Sequence, residues 1–233
     1  MNIVLSGYGK MGQEIDSVLK GTTHNVVARS QDIQGIDKRL AEESVCIDFS
    51  EPAAFRKNYR FIAENFKAAV VGTTGWNDIK DEVTACFREC GTTMIYASNF
   101  SIGVSILFKL CEIASKLCNS MGEYDPYILE MHHKFKLDAP SGTAKTIKEI
   151  VSKEYGRDVA IESIRSGYIP GIHRLAFESV QDRVVLEHEA FSRGGFALGA
   201  VTAAGWATQL KGVFDFRDII EDKFITILNN ERD

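Results

Sequence analysis

An apolar run, Ile3-Val4-Leu5, stands at the start of the chain and ends at once in Gly7-Tyr8-Gly9-Lys10-Met11-Gly12. Behind this loop Met11, Ile15, Val18 and Leu19 recur at helical spacing. Strand, glycine turn and helix in that order leave few folds open. Gly7 permits a tight turn, Gly9 lets a phosphate approach the backbone, and Gly12 lets the helix pack closely on the strand. Such a turn seats a pyrophosphate on a helix N-terminus, where unpaired N–H groups point outward. Dinucleotide binding is therefore favoured over a purely structural turn.

The pattern continues as an α/β fold. Strand-like runs fall at 25–28, 44–49, 68–71 and 93–97, with helical segments at 53–65 and 78–90. In an open α/β sheet, ligands bind beyond the carboxyl ends of the strands. Two polar turns fall at such ends, Gly72-Thr73-Thr74-Gly75 and Ala97-Ser98-Asn99-Phe100. Each alone reads equally well as a plain connection; with the glycine loop they form one rim. The second strand runs into Arg29-Ser30-Gln31-Asp32. Asp32 comes late for a ribose-binding acid and Arg29 suits a 2′-phosphate, so NADPH is expected over NADH.

From Ser101 the character changes. A long helical pattern covers 101–121, and a strand at 127–131 delivers His132 to its end. A helix at 141–155 precedes alternating strands at 161–165, 173–177 and 183–189. The last helices, 195–210 and 214–228, are expected to pack back on the first domain. The expected division is a dinucleotide-binding domain over 1–101, completed by 195–233, and a second domain over 102–194.

The densest chemistry lies in Glu130-Met131-His132-His133-Lys134-Phe135-Lys136-Leu137-Asp138-Ala139-Pro140-Ser141-Gly142-Thr143-Ala144. Paired histidines at a strand end and solvated lysines are an equally ordinary reading of its first half. The second half shifts the balance. Pro140 cannot continue a strand, Ser141 is a good N-cap, and Gly142 admits a ligand to the backbone. Proton donors, fixed positive charge and free helix N–H groups side by side suit an anionic substrate that must receive a proton.

The net charge of −5 confines positive charge to that segment and excludes nonspecific nucleic-acid binding. No apolar run could span a bilayer and no signal peptide is expected, which points to the cytoplasm. The five cysteines contain no CxxC and lack a histidine at ligand spacing, so reduced, packed thiols and no metal are expected.

These motifs, in this order, resemble the dihydrodipicolinate reductase family. The likeness rests on Gly7 to Gly12, Gly72 to Gly75, Ala97 to Phe100, His132-His133-x-x-Lys136 and Asp138-Ala139-Pro140-Ser141-Gly142-Thr143-Ala144. Arg165-Ser166-Gly167-Tyr168-Ile169-Pro170-Gly171-Ile172-His173 resembles a further run of the family. The resemblance implies a Rossmann-type parallel sheet with an inserted α+β domain whose mixed sheet binds substrate and joins a homotetramer. It implies NADPH- or NADH-dependent reduction of a cyclic dicarboxylate in diaminopimelate and lysine biosynthesis. It gives His132 and Lys136 catalytic roles, and His133, Ser141, Gly142 and Thr143 substrate contacts. Gly7, Tyr8, Gly9, Lys10, Met11, Gly12, Gly72, Thr73, Thr74, Ala97, Ser98, Asn99 and Phe100 match cofactor positions. The chain departs from the pattern at Gln31, Phe135, Pro170 and Ile172.

Two rivals share the glycine loop. A sugar or aldehyde reductase asks for no Pro-Ser-Gly-Thr at a helix start. A dinucleotide-sensing regulatory domain needs no proton donor after the first hundred residues.

Overall fold

Strands of a sheet covered on both faces read as unbroken apolar runs. The computed structural model, which describes residues 1–230, places these runs in one parallel sheet. The last three residues of the 195–233 segment lie outside the described residues. The sheet contains β1 (Asn2–Ser6), β2 (Asn25–Ser30), β3 (Ser44–Asp48), β4 (Ala68–Val71), β5 (Thr93–Tyr96) and β10 (Val213–Asp215), in the order β10-β5-β4-β3-β1-β2. The order reverses beside β1, with β2 on one side and β3 on the other, which opens a crevice at their carboxyl ends.

Helices α3 (Pro52–Asn65) and α4 (Lys80–Cys90) cover one face. Phe55, Ile62, Val83 and Phe87 pack there on Val4, Cys46, Ala69, Val71 and Met94. Helices α1 (Lys10–Leu19) and α7 (Gly194–Ala207) pack together on the other. Small residues let α7 come close. A β-carbon on Gly199 would stand 1.7 Å from the carbonyl oxygen of Phe100.

Two elements depart from the sequence expectation. Residues 213–215 form a short strand beside β5, with Phe214 opposite Ile95, before α8 (Phe216–Asn230) begins. A short helix, α2 (Lys38–Glu42), is capped by the Asp37 side chain.

The chain divides into two compact units: Met1–Ser101 with the segment from Gly194 onward, and Ile102–Arg193. The second contains α5 (Ile102–Met121), β6 (Asp125–His132), α6 (Gly142–Tyr155), β7 (Ala160–Arg165), β8 (Ile172–Glu178) and β9 (Arg183–Glu189). Its mixed sheet has the order β7-β6-β8-β9; β6 and β7 are parallel and the other pairs antiparallel. Helices α5 and α6 bury Leu107, Cys111, Ile147 and Val151 against Ile128, Leu175 and Phe177.

Successive side chains of a strand point to opposite faces. Along β6 the residues at 126, 128, 130 and 132 are buried. The helix-covered face therefore carries Ile128 and then, toward the strand end, Glu130 and His132. The other face presents Tyr127, Leu129 and Met131, with Ile164 and Val185 on neighbouring strands left 42% and 43% exposed.

Candidate active site

Three glycines shape the rim of the first unit. Gly7 adopts φ +84°, and a β-carbon on it would stand 2.5 Å from the Phe49 carbonyl oxygen. One on Gly12 would stand 2.3 Å from the Gly7 carbonyl oxygen, so this glycine lets α1 approach the loop. At Gly9, the N-cap of α1, a β-carbon would meet nothing within 4 Å, and no side chain caps the helix. The loop is thus closed against its own strand and open at the helix N-terminus, a fit for a pyrophosphate.

Neighbouring turns are fastened from below. Buried Asp48, at the end of β3, accepts hydrogen bonds from the Ser6, Ser50 and Thr73 hydroxyls. Burial pushes its carboxyl above the ordinary range. A β-carbon on Gly72 would enter the Phe49 ring. Trp76 Nε1 donates to the Thr73 carbonyl at 2.6 Å, while Thr74 is exposed. After β5, Ala97 and Phe100 are buried, Ser98 is exposed, and the Asn99 side chain accepts the Ser101 N–H at 2.8 Å.

Tyr8 and Arg29 are both committed to Asp16. The Tyr8 hydroxyl donates to it at 2.6 Å, and Arg29 grips it through Nε at 3.0 Å and Nη2 at 2.6 Å. Asp32 is also occupied; its carboxylate caps a short turn by accepting the Gln34 N–H at 3.2 Å. Lys10 is exposed and Met11 half-buried.

In the second unit the sheet delivers a buried polar cluster. Glu130 is fully buried, and its carboxylate accepts from His132 Nδ1, from Arg165 Nη2 at 2.6 Å and from the Ser141 N–H at 3.3 Å. Arg165 Nη2 also donates to the Asp138 carbonyl at 2.6 Å, which ties β7 to the turn before α6. Ser141 caps α6 by accepting the Ala144 N–H at 3.3 Å, and its hydroxyl lies 3.0 Å from His173 Nε2. The cap leaves the N–H groups of Gly142 and Thr143 at the helix start, and no acid sits in that first turn. Lys136 Nζ pairs with Asp138 at 2.8 Å. His133 Nδ1 is buried and makes no hydrogen bond among the described residues.

Proton affinities follow from this packing. Burial acts to raise Glu130, yet the hydrogen bonds from Arg165 and His132 prevail and bring it to about 2. Burial lowers His132; Glu130 pulls it back up, and the charges of Lys136 and Arg165 add to the lowering. Burial takes His173 to about 4. The hydrogen bond that Lys136 donates to Asp138 leads the lowering of the Asp138 carboxyl.

Donor atoms of Glu130, His132 and His173 lie within 4.8 Å of one another, a spacing that a metal ion could use. The Glu130 carboxylate is already held by a guanidinium and an imidazole, so the cluster reads as an orienting set. Cys46, the thiol nearest the cofactor rim in sequence, is fully buried and pushed well above its ordinary pKa, which makes it unreactive.

Comparison with known proteins bears on both units. Residues 1–100 match the family model described as dihydrodipicolinate reductase, N-terminus, and residues 103–220 match its C-terminus counterpart. A 4-hydroxy-tetrahydrodipicolinate reductase from Christiangramia forsetii is 36% identical over 237 residues, covering 96% of this chain and 99% of that one. The chain belongs to the dihydrodipicolinate reductase family. A dipicolinate-bound dihydrodipicolinate reductase from Paenisporosarcina sp. TG-14 has the same fold, with a TM-score of 0.77 at 20% identity over 94% of this chain and 99% of that one. A dehydrogenase from Clostridium difficile is similar more distantly, at TM-score 0.55 and 8% identity over 99% of both chains.

Membership in the dihydrodipicolinate reductase family makes this a nicotinamide-dependent oxidoreductase acting on a small molecule. Among the described residues, no helix is long and apolar enough to cross a membrane. Glu130, Arg165 and His173 were not candidate site residues on sequence grounds. The alternation of Ile128, Glu130 and His132 on one face of β6 was the available signal, because it places an acid where an apolar side chain belongs.

Proposed function

We propose that the protein is a 4-hydroxy-tetrahydrodipicolinate reductase, which forms tetrahydrodipicolinate on the diaminopimelate route to lysine. The observation that carries this reading is the α6 start, Ser141-Gly142-Thr143, set against a buried Glu130–His132 pair in a member of this family. When bound, a reduced nicotinamide supplies hydride to the conjugated ring that forms once the 4-hydroxyl has left as water. Gly7 to Gly12 would hold its pyrophosphate, with Gly72 to Thr74 and Ala97 to Phe100 along the rest of the rim. NADPH is favoured over NADH because Asp32, the acid near the end of β2, is spent as a cap, whereas Arg29, though held by Asp16, leaves its side chain 41% exposed.

The substrate carries two carboxylates. Gly142 and Thr143 N–H groups, the Ser141 cap, His133 and Lys136 would receive one of them by charge-assisted hydrogen bonds. Hydride adds to one ring carbon, and the electron pair it displaces is drawn along the conjugated system. A proton from the His132–Lys136 pair quenches that charge on the ring. The arriving anion raises the proton affinity of His132, offsetting the lowering by burial and cations.

The open face of the mixed sheet, with Tyr127, Leu129, Met131, Ile164 and Val185, is apolar enough to join subunits, and a homotetramer built through it goes with this reading. Five unpaired cysteines fit a cytoplasmic setting. The test is oxidation of NADPH and NADH by the purified protein with freshly generated substrate. Turnover that requires the substrate, and is absent with aldehydes and sugars, is expected. No substrate-dependent oxidation refutes the reading.

A further inference from the structure

The feature that reaches beyond this reading is the environment of Glu130. Its carboxyl group is entirely buried, and three elements supply partners for it: His132 on its own strand, Arg165 on β7 and Ser141 at the start of α6. Leaving a charge in such a place costs stability unless it is paired and hydrogen-bonded. A hydrophobic residue would pack there at lower cost, as Ile128 does on the same face. The position therefore demands a reason, and the imidazole supplies one.

An ionised carboxylate only accepts hydrogen bonds, so His132 must present N–H at Nδ1. The other nitrogen, Nε2, is then the one that binds and releases a proton. Nε2 lies against Gly171, where a β-carbon would come within 3.1 Å of it. The ring is thus fixed at one edge by a charge and at the other by a glycine. We propose that Glu130 is the positioning residue of His132: its carboxylate fixes the tautomer and the ring plane, so that Nε2 is the proton-donating nitrogen. Arg165 keeps that carboxylate charged and, through the Asp138 carbonyl, joins it to the substrate-binding turn.

The charged and titratable groups around His132 are Glu130 on β6, Arg165 on β7, His173 on β8, and Lys136 from the turn before α6. Lys136 and Arg165 disfavour the imidazolium, burial keeps His173 neutral near pH 7, and Glu130 alone favours it. Loss of that charge should move His132 in one direction only, toward weaker proton binding.

The inference rests on the proposed reductase activity, and the experiment separates the two. Glu130→Gln keeps the size and removes the charge; Glu130→Asp keeps the charge and withdraws it by one methylene. For Glu130→Gln, kcat is expected to fall about 100-fold with dinucleotide affinity unchanged, and the alkaline limb of the kcat profile to move about one pH unit lower. Glu130→Asp should lose kcat while keeping that limb in place. Imidazole NMR of the free protein should show Nδ1–H in the wild type and a mixed tautomer with a lower pKa in Glu130→Gln. If Glu130→Gln does not fold, full activity in Glu130→Asp overturns the inference. So does an unmoved limb in Glu130→Gln, or identical imidazole spectra. A wild type that reduces no substrate but still shows the spectral difference refutes the reductase reading and supports the pair.

Discussion

A β-carbon added to Gly171 would stand 3.1 Å from Nε2 of His132 and 3.3 Å from its Cδ2. The neighbour that must yield is the proposed proton donor, gripped at its far side by Glu130. Gly171→Ala should therefore lower kcat by at least about 10-fold with little change in dinucleotide affinity, since small misplacements of reacting groups are costly. Fluorescence titration with NADPH beside steady-state kinetics checks it; wild-type turnover would show that the ring has room to move.

Removing the donor is a stronger test. His132→Gln should cost about 100- to 10,000-fold in kcat, the range of general acid catalysis, and leave NADPH binding alone. Equal losses in turnover and cofactor affinity would assign His132 a structural role.

Lys136→Met should weaken turnover and substrate binding together, because this ammonium is proposed to serve both. It also frees Asp138, whose carboxyl is held low chiefly by Lys136 and should titrate closer to its ordinary value in the variant. Unaltered kcat and KM would remove Lys136 from the site.

Two glycines of the first loop should respond differently to the same methyl group. Gly9→Ala has open space around it, so the fold should survive while dinucleotide affinity falls. Gly12→Ala would collide with the Gly7 carbonyl at 2.3 Å and should lower Tm by several degrees. Calorimetry with a binding titration distinguishes them; equal behaviour of the two variants would contradict the proposed seat for the pyrophosphate.

Glu130 also predicts how stability depends on acid. Its carboxyl titrates near 2 in the folded chain against 4.5 as its ordinary value. The stabilisation is fully present above about 4.5 and fades as pH falls toward 2. Wild-type Tm should drop more steeply across that window than Tm of Glu130→Gln. Parallel curves would show that Glu130 does not titrate low in the fold.

Much of the fold could be read from residue pattern. The glycine loop, the apolar runs of β1, β3 and β4, and the Ser141 cap are local signals, and each lies where the sequence put it. What escaped was decided at long range. Val213–Asp215 is too short to announce a strand, and its partner β5 lies more than a hundred residues earlier. That Asp16, on α1, holds Arg29 through Nε and Nη2 could not be read from residues 25–32. Glu130 opened the 130–144 segment without a role of its own, and only the alternation along β6 places it on the covered face beside Ile128. Arg165 and His173 join it only because β7 and β8 flank β6.

The placement of β10 and α7 bears on how this protein can be made or cut. The outermost strand of the parallel sheet, and a helix that covers one face of it, are encoded after the whole of the mixed-sheet unit. An expressed fragment ending at Ser101 would expose the flank of β5 and the surface where Gly199 meets Phe100. It should aggregate through that raw edge, whereas Ile102–Arg193 is encoded without interruption and is the better choice for production alone. On the ribosome, the parallel-sheet unit starts before the mixed-sheet unit and is finished after it.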